Sequence, residues 1–350
     1  MRFVNLPSGD SRSMIGRRSL LVMFALVAVF VVFRIRLFFP EVTQATSVPI
    51  TVNEPALPIV VEAPKSAPQR QMLSRAADVL PISTTLPDSV ASTIGAKHII
   101  VMDSRTGRVL ADRLADEAYP MASLTKLLAS LVIVDHVKDW KELVQILPED
   151  LREGEAVVHE GERLELYDLL AVTLIRSSNT GIMALGRSIG FTSAQLVERM
   201  NALAREKGWT TVMVTDPTGL TPTTVGSAHD IARMLAEALG RNEIGNILGQ
   251  SQYEWSIYSA DHKPLQQHST ISTNELIHPN ANTDVYDVVG GKTGYIPDSG
   301  YNVAVEAVNS QKYRLIAVVV GAETFERRFV EADRLLRWAF SLLPTNQQSL

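Results

Sequence analysis

The 350-residue chain contains no cysteine, and this absence excludes several kinds of site at once. Disulfide bridges, thiolate metal sites and thiol nucleophiles all need the missing residue. The seven histidines are scattered, and no His-x-x-x-His pair falls on a recognisable helix. The sequence therefore predicts neither a disulfide-stabilised fold nor a metal centre.

The chain also lacks a concentrated block of basic residues. It has 38 Asp and Glu residues against 33 Lys and Arg residues, which gives a formal net charge of -5. Proteins that bind nucleic acid need a concentrated basic face, so we expect no nucleic-acid partner. Because 46% of the residues are hydrophobic, the chain is able to bury a large core.

The N-terminal region has the composition of a membrane anchor. Residues 1–18 contain four arginines and one acidic residue, and residues 20–33 contain no charge. Extended to residue 39, the apolar stretch is long enough to span a bilayer. We therefore predict a cytoplasmic segment at residues 1–18 and a transmembrane anchor at residues 19–39. A cleaved signal peptide, which needs a shorter apolar core, is the alternative.

Residues 40–90 are rich in proline and sustain neither a helical nor a strand period. This composition is typical of an extended linker, although residues 70–79 are compatible with a short helix. We expect the linker to hold a folded domain, residues 91–345, outside the cytoplasm. Residues 346–350 are expected to be a short tail.

The folded domain shows strand patterns at both ends and helical patterns between them. The predicted strands are residues 98–102, 108–111, 285–291, 302–308 and 314–320. The predicted helices are one that begins near residue 120, then residues 164–189, 193–207, 227–239 and 328–343. This order predicts an α+β fold in which the N- and C-terminal strands meet in one antiparallel sheet, with a helical subdomain between them.

One candidate for a catalytic group is Ala122-Ser123-Leu124-Thr125-Lys126, which opens an apolar run. On a helix, Ser123 and Lys126 are three positions apart and lie on one face. A serine hydroxyl becomes a good nucleophile when a base removes its proton, and a neutral lysine is such a base. Burial or a second cation is needed to keep that lysine neutral.

Two further clusters follow in order, Ser177-x-Asn179 and Lys292-Thr293-Gly294. Each is weak evidence alone, but the ordered set of three is the one found in penicillin-binding proteins and class A β-lactamases. In such a site Ser177 relays a proton to the leaving amine, and the Asn179 amide binds the substrate backbone. Lys292 supplies the second cation that helps to keep the base neutral.

The third cluster also predicts binding groups for the substrate. Thr293 is expected to bind a substrate carboxylate, and Gly294 to let the substrate lie close to its strand. The backbone N–H groups of Ser123 and Tyr295 are expected to face a developing oxyanion. Together the three clusters predict an acyl-transfer site.

The chain resembles the serine D-Ala-D-Ala carboxypeptidases, the low-molecular-weight penicillin-binding proteins, over about residues 97–340. Four blocks carry this resemblance: Tyr119 to Lys126, Thr218-Gly219-Leu220 followed by Ser227-Ala228-His229-Asp230, Gly291 to Tyr295 with Gly300-Tyr301-Asn302, and Arg328 with the residues before Trp338. It implies a β-lactamase-like fold with no cofactor. It also implies that Arg328 holds the terminal carboxylate of the substrate, with Arg327 as the alternative.

The sequence departs from the family pattern at two places. Thr180-Gly181 follows Asn179 where the family usually has Asp-Ala, which could loosen the local geometry. The chain stops at Leu350, so we expect neither the extra C-terminal β-domain nor the amphipathic C-terminal anchor of many members. Members without that domain include D,D-endopeptidases, which cut peptidoglycan cross-links.

The expected function is that of a membrane-tethered serine D,D-carboxypeptidase. It would act on peptidoglycan stem peptides and be acylated by β-lactam antibiotics at Ser123. A D,D-endopeptidase is the first alternative. A β-lactamase needs a carboxylate that activates water, and the nearest candidate, Glu198, has the wrong spacing from its Asn. A non-catalytic wall-binding scaffold is the remaining alternative.

Overall fold

The computed structural model describes residues 85–152 and 157–343, and all of them belong to one unit. Its α-helices are α1 (Asp88–Ala91), α2 (Thr125–Val134), α3 (Leu166–Ile175), α4 (Asn179–Ser188), α5 (Ser193–Glu206), α6 (Ala228–Leu239), α7 (Asn242–Leu248) and α8 (Phe325–Ser341). Its strands are β1 (His98–Asp103), β2 (Val109–Arg113), β3 (Tyr119–Pro120), β4 (Leu143–Gln145), β5 (Arg163–Glu165), β6 (Val225–Gly226), β7 (Gln252–Tyr258), β8 (Pro264–Ile271), β9 (Asp287–Ile296), β10 (Gly300–Val308) and β11 (Arg314–Ala322).

The main sheet has five strands in the order β2-β1-β11-β10-β9. All four neighbouring pairs are antiparallel, and β1 pairs with β11 from His98 opposite Val320 to Asp103 opposite Leu315. Strands from the two ends of the folded region therefore meet in one sheet. This confirms the predicted α+β arrangement.

The sheet is covered on both faces, and alternate residues of β1 show this directly. Ile99 and Val101 belong to a core formed with α8, whereas Ile100 and Met102 belong to the core formed with the helices between the terminal strands. Successive side chains of a strand point to opposite faces, so the central residues of β1, which is covered on both faces, are all apolar. Leu86 is also buried in the α8 core, before residue 91, where the folded domain was expected to begin.

The sequence patterns missed helix α1, the short strands β3 to β6, helix α7 and the hairpin β7–β8, and they misplaced the start of two helices. The hairpin β7–β8 and helix α7 were not predicted, and most of the side chains of β8 are exposed. Helix α2 begins at Thr125, and Ser123 lies before it in a 3-10 turn, Ala122–Leu124, because β3 includes Pro120. The last helix begins at Phe325 rather than at residue 328, which places Arg328 in its first turn.

The predicted cytoplasmic segment, the transmembrane anchor, the short helix at residues 70–79 and the tail all lie outside the described residues. So does the linker as far as residue 84. Within the described ranges, no helix combines the length and the apolar character that crossing a bilayer requires.

A buried carboxylate on α8 connects that helix to the segment that leads into β1. Glu331 is fully buried, and its carboxylate accepts hydrogen bonds from the backbone N–H of Gly95 (3.1 Å) and of Ala96 (2.9 Å). The guanidinium of Arg327 pairs with the same carboxylate at 2.8 Å. The partners satisfy a charge that would otherwise be costly to bury.

We predict that Glu331→Ala lowers the free energy of unfolding by about 2 kcal/mol, because the N–H groups of Gly95 and Ala96 lose the carboxylate that accepts their hydrogen bonds. Urea denaturation measures this loss. The control is Glu323→Ala, which removes an exposed carboxylate just before α8 and should change stability by less than about 0.5 kcal/mol. Equal effects of the two substitutions would contradict the assigned role of Glu331.

Candidate active site

Ser123 and Lys126 meet at the start of α2. The Lys126 Nζ donates a hydrogen bond to the Ser123 Oγ at 2.8 Å, and the lysine side chain is fully buried. The preceding residue, Ala122, has a φ of 49°, and its carbonyl accepts a hydrogen bond from the Thr125 hydroxyl at 2.7 Å. The left-handed backbone at Ala122 is unfavourable for a residue with a Cβ, so tertiary contacts must hold this turn in place.

The Lys126 amine also contacts two oxygen atoms from other parts of the chain. It donates to the Asn179 Oδ1 at 2.7 Å and to the Thr218 carbonyl at 2.8 Å. An ammonium group has three N–H donors, which suits three acceptors. A neutral amine has two, so Asn179 and Thr218 would take both and direct the nitrogen lone pair at the Ser123 hydroxyl. This arrangement suits a general base.

The second cluster lies in the turn between α3 and α4. Ser177 has a φ of 65° and lines the same cavity as Ser123. The Ser178 hydroxyl caps α4 by accepting a hydrogen bond from the Gly181 N–H at 2.8 Å. A Cβ at Gly181 would lie 2.1 Å from the Thr173 Oγ1, so close packing of α3 requires this glycine. The departure from Asp-Ala therefore comes with a well-capped turn rather than a loosened one.

Lys292 lies inside β9 and is almost completely buried. Its Nζ donates a hydrogen bond to the Thr293 carbonyl at 3.0 Å. Burial, together with the positive charges of Lys126 and Arg328, lowers the pKa of Lys292 well below its usual range. The two lysines are therefore electrostatically coupled, with Lys126 lowering the pKa of Lys292. The predicted effect of Lys292 on Lys126 stays a prediction.

Gly294 brings β9 against the Ser123 turn. A Cβ at this position would lie 3.0 Å from the Ser123 backbone nitrogen and 3.1 Å from the Met121 carbonyl oxygen. The structure thus explains why a glycine is needed here. At this position β9 contacts the turn that carries Ser123, which the sequence did not suggest. The next residue, Tyr295, is about half exposed, and its ring stacks on that of Tyr301 at 4.3 Å.

Arg328 points into the site from the first turn of α8. It is buried, with its guanidinium 4.4 Å from the Phe325 ring and 4.6 Å from the Phe329 ring, and it lies 3.4 Å from the Gly294 carbonyl. Burial lowers the pKa of Arg328 to about 10. The neighbouring Arg327 instead pairs with Glu331, so of the two arginines Arg328 is the one that lines the cavity.

These segments enclose one cavity of about 440 Å³. Six of the predicted residues line it: Ser123, Ser177, Thr293, Gly294, Tyr295 and Arg328. Lys126 and Asn179 reach Ser123 by the hydrogen bonds already given, and Lys292 is coupled to them by charge. The structure therefore brings the three sequence clusters into one site. Within residues 85–152 and 157–343, His, Asp and Glu form no group of three that could hold a metal ion.

The loop at residues 216–219 is a part of the site to which the sequence assigned no role. The Asp216 carboxylate accepts hydrogen bonds from the Thr218 hydroxyl (2.6 Å) and from the Leu220 N–H (2.7 Å), and the Thr218 carbonyl faces Lys126. Gly219 has a φ of 81°, and a Cβ there would lie 2.0 Å from the Ala122 carbonyl oxygen. The Asp-x-Thr-Gly spacing was the available signal, since it is typical of a side-chain-stabilised turn.

Asn302 is a second contributor that the sequence did not identify. It is fully buried in β10, and its side-chain nitrogen lies 3.4 Å from the carbonyls of Pro120 and Met121. Its Oδ1 accepts a hydrogen bond from the Gly321 N–H at 2.9 Å. One side chain thereby connects the segment before Ser123 to the central strands of the sheet.

Comparison with known proteins agrees with this geometry. The family model described as D-alanyl-D-alanine carboxypeptidase, peptidase family S11, matches residues 84–324. The chain belongs to this family. It is 29% identical over 272 residues to the D-alanyl-D-alanine carboxypeptidase DacC of Escherichia coli (strain K12). The matched region covers 73% of this chain and 64% of DacC. The chain thus spans less than two thirds of the length of that relative.

Two further family relatives are informative. The chain is 28% identical to a D-alanyl-D-alanine endopeptidase of Pseudomonas aeruginosa, over 68% of this chain and 75% of that protein. The solved structure of penicillin binding protein 5 from Haemophilus influenzae matches with a TM-score of 0.64 and 26% identity, over 74% of this chain and 73% of that one. The predicted β-lactamase-like fold of the D,D-peptidases is confirmed.

We predict that Gly294→Ala lowers stability by about 1–3 kcal/mol, because the added methyl group must displace the backbone of the Ser123 turn. Thermal or urea unfolding measures the change. In the matched control, Gly95→Ala, the methyl group meets side-chain atoms, the first of them the end of Arg327 at 3.3 Å. A smaller loss in Gly294→Ala than in the control would show that the strand and the turn are not tightly packed.

We also predict a pH-dependent stability from Lys292. Its folded pKa lies below the value of ~10.4 in an unfolded chain, so between the two values the unfolded state binds more protons. Stability must then rise with pH in that window, by at most about 1.4 kcal/mol per pH unit. In urea unfolding, wild type should therefore gain stability relative to Lys292→Met between pH 8 and pH 9.5.

The control for that experiment is Lys138→Met, which removes an exposed amine. Its stability difference from wild type should stay constant over the same pH range. If the Lys292→Met difference stays constant as well, the ammonium form of Lys292 is not disfavoured by the fold.

Proposed function

We propose that this protein is a serine D,D-carboxypeptidase that removes the terminal D-alanine from peptidoglycan stem peptides. The observation that carries the proposal is the 2.8 Å contact between the buried Lys126 Nζ and the Ser123 Oγ, at the edge of a cavity that also holds Ser177 and Arg328. Membership of the D-alanyl-D-alanine carboxypeptidase family supports this choice of substrate.

In the acylation step, Ser123 attacks the carbonyl carbon of the bond between the two D-alanines while Lys126 takes the hydroxyl proton. Hydrogen bonds to Asn179 and Thr218 hold the amine in the orientation that this transfer needs. Ser177 passes a proton to the nitrogen of the leaving D-alanine. Water then hydrolyses the acyl-Ser123 ester, and no cofactor takes part.

The developing oxyanion would be stabilised by the backbone N–H groups of Ser123 and Tyr295. Support for this pairing comes from Gly294, because its contact with the Ser123 nitrogen places the end of β9 beside the nucleophile turn. Donors fixed by packing in this way need no rearrangement as the charge forms.

The terminal carboxylate of the substrate would bind between the Thr293 hydroxyl and the Arg328 guanidinium, both of which line the cavity. Lys292 and Arg328 both have lowered pKa values, so the site disfavours their positive charge until an anion enters. A substrate carboxylate is such an anion. The Asn179 amide would bind the substrate backbone on the other side of the scissile bond.

A D,D-endopeptidase that cuts peptidoglycan cross-links is the second candidate, because a relative of similar identity carries that name. The β-lactamase alternative gains no support from Glu198, which is exposed on α5 and does not line the cavity. Acylation of Ser123 by β-lactam antibiotics is part of the proposal, supported by the likeness to a penicillin binding protein.

We further propose that residues 19–39 anchor the chain in the membrane and that the catalytic domain is extracytoplasmic. The support is the basic and then uncharged sequence of the first 33 residues. Intact cells should retain the full-length protein in the membrane fraction and expose its catalytic domain to protease added outside the cytoplasmic membrane. A processed, freely released protein would favour the signal-peptide alternative.

We predict that Ser123→Ala abolishes both release of D-alanine from a pentapeptide and labelling by a fluorescent penicillin, while the far-UV circular dichroism stays unchanged. The expected loss of turnover is at least about 10³-fold, as for removal of a serine nucleophile. The control is Ser130→Ala, which removes a buried hydroxyl on α2, seven residues after Ser123, and should retain full activity.

The same labelling experiment separates the alternatives. A stable penicillin adduct that disappears in Ser123→Ala supports a D,D-peptidase. Rapid penicillin hydrolysis points to a β-lactamase instead. No adduct on a folded wild-type protein would favour a non-catalytic scaffold.

A further inference from the structure

A second cavity of about 520 Å³ adjoins the active-site cavity and shares two lining residues with it. Arg176 and Ile271 line both of them and therefore mark the junction. Arg176 comes from the turn between α3 and α4, directly before Ser177. The opposite wall is the hairpin β7–β8, which supplies the remaining lining residues Gln252, Tyr253, Glu254, Ser269 and Thr270.

The junction lies on the leaving-group side of the site. Thr273, two residues beyond Ile271, shares a hydrogen bond of 2.6 Å with the Thr293 hydroxyl, and its backbone N–H donates to the Ile175 carbonyl at 3.1 Å. Thr293 is the residue that would bind the carboxylate of the leaving amino acid. Ser177, which would protonate the leaving nitrogen, adjoins Arg176. Thr293 and Ser177, the two residues near the junction with proposed roles, would therefore both act on the leaving group.

Arg176 presents a charged group at this junction. It caps the C-terminus of α3 and is exposed, and its guanidinium makes no ion pair or hydrogen bond within the described part of the chain. The carboxylate of the second cavity, Glu254, accepts a hydrogen bond from the Gln267 amide at 3.1 Å. A guanidinium with its donors available is well suited to bind a carboxylate in a bidentate manner.

A leaving D-alanine is too short to reach the second cavity, because it ends at the carboxylate that Thr293 and Arg328 would bind. The leaving half of a cross-link is different. There the released nitrogen belongs to a diamino acid within a second stem peptide, which extends beyond the site and has further free carboxylates of its own.

We propose that the second cavity binds the acceptor stem peptide of a D,D cross-link, and that Arg176 binds a carboxylate of that peptide beyond the leaving residue. This inference rests on the proposed function of the same site and extends its substrate class from single stem peptides to cross-linked ones. Arg176 is a specificity residue in this scheme, since it contacts the substrate away from the reacting atoms.

The reaction balances with water as the second reactant. The Ser123 Oγ forms an ester with the D-alanine carbonyl carbon, and the bond from that carbon to the side-chain nitrogen of the acceptor peptide breaks. The proton that Lys126 takes from Ser123 reaches the leaving nitrogen through Ser177. Water then hydrolyses the ester, so one cross-linked dimer and one water molecule give two separate stem peptides.

The test compares kcat/KM of the full-length protein for a cross-linked peptide dimer and for a pentapeptide monomer, both followed by chromatography. Arg176→Gln should lower the dimer-to-monomer ratio of kcat/KM about tenfold, since a hydrogen-bonded carboxylate loses its charged partner. Arg176→Lys should retain part of the ratio. The control, Arg205→Gln, removes an exposed arginine on α5 and should leave the ratio unchanged.

A second arm changes the substrate and needs no variant. Amidation of the acceptor-peptide carboxylates should lower wild-type kcat/KM for the dimer and leave that of Arg176→Gln unaffected. The inference is overturned if wild type cleaves the pentapeptide but not the dimer, or if Arg176→Gln loses both activities equally, which is what a structural role at the end of α3 would give. Cleavage of neither substrate, with no penicillin adduct, overturns the proposed function itself.

Discussion

The rest of the site depends on the hydrogen bonds that the Lys126 amine makes. It joins three segments that are far apart in sequence, through Ser123, Asn179 and the Thr218 carbonyl. Burial makes each of these hydrogen bonds necessary, because an unsatisfied polar group inside the protein is costly. The proposed base, the proposed nucleophile and the Asn179 amide are consequently fixed by one set of interactions.

The turn that carries Ser123 is held by its surroundings rather than by its own preference. A left-handed conformation at a residue such as Ala122 costs about 1–3 kcal/mol unless other contacts enforce it. Gly219 and Gly294 permit two backbone segments to approach the turn within van der Waals contact, and Asn302 contacts the carbonyls just before it. The strain is thus located directly before Ser123, the proposed nucleophile.

The charges of the site have the opposite sign to those of the whole molecule. The chain carries a net charge of -5, yet burial and the positive charges of Lys126 and Arg328 together lower the pKa of Lys292. Such a site disfavours its own positive charge and gains from an anionic ligand. The proposed function uses this cluster of cations twice, to keep Lys126 neutral and to bind a substrate carboxylate.

Periodic burial explains which elements could be predicted from the sequence. Strands β1 and β11 are buried on both faces and form short continuous apolar runs, whereas the amphipathic helices α5 and α6 bury one face, so their apolar residues recur at helix spacing. The hairpin β7–β8 buries little of itself and shows no such pattern. Helix α7 has only seven residues, too few to establish a period.

The sequence by itself determined which side chains are candidates for acyl transfer, because five such residues occur in a recognisable order: Ser123, Lys126, Ser177, Asn179 and Lys292. Tertiary structure alone decided what surrounds them. The Thr218 carbonyl, the approach of Gly294 to the Ser123 nitrogen and the cavity beside Arg176 all depend on backbone atoms or on empty space. Every residue has the same backbone groups, and no residue type marks a cavity. Only the folded chain therefore shows where these groups and cavities lie.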